Sequence, residues 1–169
     1  IEMPLRNPVP KLKRPRPAEA RKVGLFPQGS AEKRSFTESK TLELISALSQ
    51  AGFKPELCPR FAQASDLADF VASCEYAVGV YTGPMHLAAA MGVKTVAIPV
   101  GDSPWAYRPL QPNAFVLAPP CDLCWHNERR FAERFCRESE PKCVRAIQPE
   151  RVLAAMKSLD AGKGGFEKL

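Results

Sequence analysis

A chain of 169 residues, 45% hydrophobic and 25% charged, is the size of one globular domain and at that length buries roughly 70% of its unfolded surface. Its net charge of +6 does not give the folded part a nucleic-acid footprint: residues 1–22 hold seven Lys or Arg against Glu2 and Glu19, which leaves +1 for the rest. No apolar run reaches membrane-spanning length, no apolar leader opens the sequence, and six cysteines without an export signal point to a reducing, cytoplasmic setting.

Residues 1–22, with Pro4, Pro8, Pro10, Pro15 and Pro17 among the basic side chains, have little to bury. They read as an extended or disordered interdomain linker. This linker-like opening, with Ile at its head, is what a piece of a longer protein would show. Val23–Pro27 is a short apolar strand running into the turn Gln28-Gly29-Ser30 and the loop 31–36. Thr37 caps a helix with Leu44, Ile45, Leu48 and Ala51 on its apolar face, and Gly52 stops it. Pro55–Pro59 is a weak second strand. Ser65 caps the next helix, which turns Leu67, Phe70, Val71 and Cys74 inwards.

Tyr76–Val80 is the third strand, followed by a turn through Thr82 and Gly83 and a short helix from Pro84 to Gly92. Val93–Pro99 and Ala114–Ala118 are further strands, the former near-continuously apolar as a doubly covered parallel strand should be. Pro149 opens a last helix carrying Val152, Leu153 and Met156, and residues 161–169 read as a flexible end. Strands alternating with helices at this spacing predict an α/β fold with a Rossmann-like, doubly wound parallel sheet over residues 23–160. A cysteine-containing segment at 121–143 interrupts it near its C-terminus.

In such a sheet ligands bind beyond the carboxyl ends of the strands, where strand order reverses. Three of these loops carry suitable groups: Gln28, Ser30, Lys33 and Arg34; then Tyr81, Thr82, Gly83, Met85 and His86; then Gly101, Asp102, Ser103, Pro104 and Trp105. The free N–H groups at the start of the helix at Pro84, with its dipole, suit a phosphate or carboxylate, and His86 lies within reach of the same anion. Lys33 supplies a point charge and Arg34 a two-pronged clamp. Hydroxyls, backbone donors, cations and aromatic surface together are what a nucleotide diphosphate needs. Each group alone is more often structural; convergence on adjacent loop ends is what favours a site. Neither a G-x-G-x-x-G fingerprint nor a P-loop is present in the sequence, which speaks against the usual dinucleotide and ATP sites.

The run Gly83-Pro84-Met85-His86-Leu87-Ala88-Ala89-Ala90-Met91-Gly92 resembles the signature of heptosyltransferase-like glycosyltransferases (glycosyltransferase family 9), in which Asp-Ser-Gly-Pro-x-His precedes a small-residue helix. Phe26–Ser30 with Lys33-Arg34, Gly101–Trp105, and the late cysteines followed by Pro149-Glu150-Arg151-Val152 are similar to flanking features of that family. The resemblance runs from Val23 to about Met156. It implies a GT-B architecture of two Rossmann-like halves, with this chain as the carboxy-terminal, donor-binding half. The implied donor is a nucleotide sugar such as ADP-heptose. The implied acceptor is a glycan or glycolipid such as the inner core of lipopolysaccharide, and transfer inverts the anomeric centre with no metal required.

The general base is then expected on the amino-terminal half of the same protein. Here Ser30, Lys33, Arg34, Tyr81, Thr82, Gly83, Met85 and His86 hold the donor, with Lys33 and His86 assisting the departing diphosphate. Tyr81 departs from the pattern, standing where the family has the Asp that grips sugar hydroxyls. That departure leaves a second reading open: a non-catalytic Rossmann-like binding or scaffold module.

Cys121-x2-Cys124, Cys136 and Cys143 are a candidate tetrahedral site for structural zinc or iron, with His126 as a spare ligand. The first pair has the spacing of a metal hook and the second is wider than usual, so free thiols and disulfides stay open alternatives. Cys58 and Cys74 read as core residues, and Trp125 as packing. No nucleic-acid partner is expected, and the basic linker is a candidate for peripheral contact with the inner face of a membrane.

Overall fold

The computed structural model describes residues 10–120 and 141–168; the side chain of Lys33 lies outside that description. Among the described residues six parallel strands form one sheet in the order β2-β1-β3-β4-β5-β6. They are β1 (Lys22–Phe26), β2 (Lys54–Leu57), β3 (Tyr76–Val80), β4 (Lys94–Ile98), β5 (Ala114–Ala118) and β6 (Gly165–Lys168). The helices are α1 (Glu38–Gln50), α2 (Ala64–Ser73), α3 (Gly83–Ala90), α4 (Lys142–Arg145) and α5 (Pro149–Asp160).

The helices cover both faces of the sheet. On one side Leu44 and Leu48 of α1 and Val152, Ala155, Met156 and Leu159 of α5 pack on Val23, Leu25, Val78, Val96 and Leu117. On the other, Phe70 and Val71 of α2 and Met85 and Ala88 of α3 pack on Phe26, Ala77, Ala97 and Val116. Strands buried on both faces need near-continuous apolar runs, and β3 is buried at all five positions. Lys40 of α1 is a buried cation; its ammonium donates to the Ile147 carbonyl at 2.8 Å and pairs with Glu43 at 2.6 Å. It joins α1 to the entry of α5, and losing it would leave a buried carbonyl without a partner, worth about 1–3 kcal/mol.

The alternating strands and helices thus follow the pattern expected, with local corrections. Thr37 caps α1 by accepting from the Lys40 N–H, as its position predicts, but α2 begins one residue before Ser65 and is preceded by Gln63. Residues 32–34 form a 3-10 turn within the anticipated loop.

The larger correction is at the C-terminus: the expected flexible end contains β6, paired in parallel with β5 from Phe115↔Gly165 to Ala118↔Lys168. Its glycines hid it. A Cβ on Gly164 would stand 2.2 Å from the Pro112 carbonyl oxygen, so the close approach that starts this pairing tolerates no side chain.

Residues 10–21 have no strand or helix but are tied down. Leu12 N–H donates to Ala90 O at 2.8 Å, the Arg14 guanidinium to Cys74 O at 2.7 Å and Glu19 N–H to Ser73 O at 2.8 Å. At the same end of the sheet Lys94 donates to Asp160 at 2.7 Å and to Glu75 at 3.3 Å, and the Tyr76 hydroxyl also bonds Asp160. Burial works against the charge on Asp160, but the hydrogen bonds from Lys94 and Tyr76 outweigh it and hold the carboxyl below its ordinary value.

Two outcomes are expected. Asp160→Asn lowers urea stability at pH 7 by about 0.5–1 kcal/mol, small because the pair is partly exposed. A carboxyl with a depressed folded pKa contributes above its unfolded pKa, so the gap from wild type should close as pH falls from about 4 through the folded value. Gly79→Ala should cost about 3 kcal/mol or more, because the new Cβ would lie 2.3 Å from the Phe26 carbonyl oxygen. Urea melts at several pH values check both.

Candidate functional site

Strand order turns at β1 and β3: β2 lies outside β1, whereas β4 and β5 continue beyond β3. Their loops lead to helices on opposite faces, α1 after β1 and α3 after β3, and a crevice opens between them. Two adjoining cavities occupy this end of the sheet. One, about 550 Å³, is bounded by Phe26, Pro27, Leu42, Ile45, Leu57 and Cys58, with Thr82 and Pro84 on its far wall. The other, about 610 Å³, is more polar and is bounded by Gln28, Gly29, Ser30, Ser35, Thr37 and Pro141. Gln28, Phe36, Glu38 and Arg60 border both.

The turn after β1 is built by its own hydrogen bonds. Ser35 Oγ accepts from the Gly29 N–H and donates to Ala31 O, both at 2.9 Å. A Cβ on Gly29 would strike the Arg34 carbonyl oxygen at 2.4 Å, so only glycine allows the chain to fold back here. Lys33 lies in the middle of the 3-10 turn. Arg34 was expected as a clamp for phosphate, but its guanidinium is engaged within the protein, donating to Ser30 Oγ at 3.1 Å and pairing with Asp102. That pair ties the turn after β1 to the loop after β4.

At the start of α3, Thr82 is the N-cap and Pro84 lies in the first turn. The N–H groups of Met85 and His86 both donate to the Thr82 carbonyl, at 3.1 and 3.3 Å, and Pro84 has none. The turn therefore offers an anion fewer free donors than the sequence suggests. Gly83 is the open point: nothing lies within 4 Å of where its Cβ would be.

Met85 is fully buried, so its side chain is core, and Tyr81 is also buried, its hydroxyl donating to Pro104 O at 3.0 Å. Neither borders either of these two cavities, and nor does His86, which lies on the exposed side of α3. Burial of part of the imidazole holds the His86 pKa below its ordinary value.

The structure thus gathers Ser30, Thr82 and the Gly83 backbone around the crevice, with Arg34 latched across it. It adds the loop after β2, which carries Cys58, Pro59 and Arg60. Only topology identifies that loop, since nothing in Cys58-Pro59-Arg60 signals a ligand. Cys58, expected in the core, instead lines the first cavity, where burial pushes its thiol up to about 11 and keeps it protonated; Cys74 is core as expected.

Of the candidate metal ligands, Cys121, Cys124 and Cys136 lie outside the described residues, as do His126 and Trp125. Cys143 sits in α4, buried in the core. Among the described residues no group of three His, Cys, Asp or Glu is placed to hold a metal ion, and no helix is long and apolar enough to cross a membrane.

The model of glycosyltransferase family 9 (heptosyltransferase) matches residues 18–134, more than half of the sequence. The chain belongs to that family. A crystal structure of a family 9 glycosyl transferase from Veillonella parvula DSM 2008 shares the fold at a TM-score of 0.62 and 18% identity. That alignment covers 82% of this chain and 45% of the other, so the chain spans less than half the length of that protein. No curated protein matches it.

Within this family 9 domain, His86 tests whether an anion sits at α3. A base whose pKa is lowered by the fold favours the folded state above its unfolded value of 6.5 and loses that contribution as pH falls below it. By NMR, in a His126→Gln background, His86 should titrate below 6.5, and pyrophosphate should raise its pKa. A midpoint that pyrophosphate leaves unmoved would place the anion elsewhere.

Proposed function

We propose that this domain is the donor-binding half of an inverting glycosyltransferase, taking a nucleotide sugar such as ADP-heptose and serving transfer to a glycan or glycolipid acceptor. Family membership and the crevice at the β1/β3 turning point carry the reading. The apolar cavity beside α1 suits a nucleobase. The polar one, bordered by Ser30, Ser35 and the amino end of α1, suits phosphate and ribose oxygens.

In this reading an acceptor hydroxyl attacks the anomeric carbon as the bond to the diphosphate oxygen breaks. The nucleoside diphosphate leaves with the electron pair, and the acceptor proton passes to a base on the other half of the protein. Lys33, Thr82, the Gly83 backbone and His86 stabilise the departing charge without a metal. Arg34 contributes only if its pair with Asp102 opens. The domain alone then binds nucleotide and transfers nothing. Residence in the cytoplasm, with the basic linker near an anionic membrane face, fits such a substrate.

Calorimetric titration with ADP, UDP, GDP and ADP-heptose tests this. One nucleotide should bind clearly better than the others. Lys33→Ala and His86→Ala should each weaken it about tenfold, the effect of removing one charge-assisted hydrogen bond of about 1.4 kcal/mol. If none binds, the non-catalytic scaffold reading that Tyr81 supports takes its place.

A further inference from the structure

The loop after β4, residues 101–110, exposes Trp105, Tyr107 and Leu110 and so buries little apolar surface of its own. It is nevertheless fastened at three points. Asp102 pairs with Arg34 of the turn after β1. The Trp105 ring stacks on Phe166 of β6, with centroids 4.1 Å apart and planes 16° from parallel. Between them, the Pro104 carbonyl accepts the Tyr81 hydroxyl at 3.0 Å. Inside the loop, Ser103 Oγ accepts the N–H groups of Trp105 and Ala106 at 3.3 and 3.2 Å, which stiffens the stretch between the outer pins.

Tyr81 is the residue at which β3 gives way to the turn into α3, and its ring packs in the core with Phe26, Phe70 and Met85. The family pattern has Asp here. An ionised carboxylate only accepts hydrogen bonds, so Asp at this position would face the Pro104 carbonyl with no proton to offer. A phenol both fills the space and donates. Burial also pushes the Tyr81 pKa up, so the hydroxyl keeps its proton wherever the domain is folded.

We infer that Tyr81 is a positioning residue, whose hydroxyl fastens the loop 101–110 beside the start of α3. A loop already held needs no ordering when ligand arrives, so its entropy is not charged against binding. The consequence for nucleotide affinity rests on the donor-binding reading above; the fastening itself does not.

The test uses the whole chain carrying Trp125→Phe, which leaves Trp105 as the single tryptophan. Tyr81→Phe keeps the ring and removes only the hydroxyl. Acrylamide quenching of Trp105 should rise about twofold and the Kd of the tightest nucleoside diphosphate about fivefold, the scale expected when a loop must be ordered without one of its hydrogen bonds. A merely structural loss would lower the melting temperature and leave the quenching of folded protein unchanged. Phe166→Leu, which removes the stacking partner of Trp105 and leaves the Tyr81 hydroxyl in place, should change both readouts in the same direction.

Unchanged quenching in Tyr81→Phe overturns the inference. Raised quenching with unchanged Kd overturns the positioning role. A wild-type chain that binds none of ADP, UDP, GDP or ADP-heptose overturns the donor reading, and the quenching comparison still decides whether Tyr81 holds the loop.

Discussion

The direct parallel pairing of β1 with β3 is the constraint on which the site depends. The two strands run side by side from Val23↔Tyr76 to Phe26↔Gly79, and the backbones come so close at Gly79 that a Cβ would overlap the Phe26 carbonyl. Because β2 pairs on the far side of β1, the chain enters α1 on one face and α3 on the other. Right-handed crossovers at these two strands place α1 and α3 on opposite faces once that strand order is set. The loops at this end must then diverge, and the cavities lie where they part.

What surrounds the crevice is largely organised by the protein's own contacts. Arg34 is held between Ser30 and Asp102, Tyr81 is bound to Pro104, and the amide donors of Met85 and His86 are shared with Thr82. Such bonds fix the loops in position and reduce what a ligand must order. They also narrow the list of groups still able to meet one. Gly83 is open on its Cβ side, and Arg60, exposed between the two cavities, has no ion-pair partner among the described residues. Arg60 lies on a loop that sequence patterning gives no reason to notice.

The elements that sequence made legible share one property: their signals are local. The strand Tyr76–Val80 is a continuous apolar run, Thr37 stands three residues before the N–H it caps, and Pro84 marks the first turn of α3. β6 gave no such signal. Its sequence Gly165-Phe166-Glu167-Lys168 has one large apolar side chain, and it is a strand because β5 offers an edge and Gly164 permits the approach. The same holds for the engagement of Arg34: a cation in a polar loop reads as free until the loop after β4 is seen to bring Asp102 against it.

Sequence alone thus determined the fold class, the loop ends on which a site is built and the family resemblance, because strand periodicity, caps and short motifs are written in neighbouring residues. Tertiary structure decided which of those side chains border the crevice. Tyr81 and Met85 went into the core, Arg34 went into a pair with a residue 68 positions away, and the loop after β2 came to the rim of the crevice. Burial and pairing depend on what packs across the sheet, and that partner is set by strand order, which no local stretch of sequence contains.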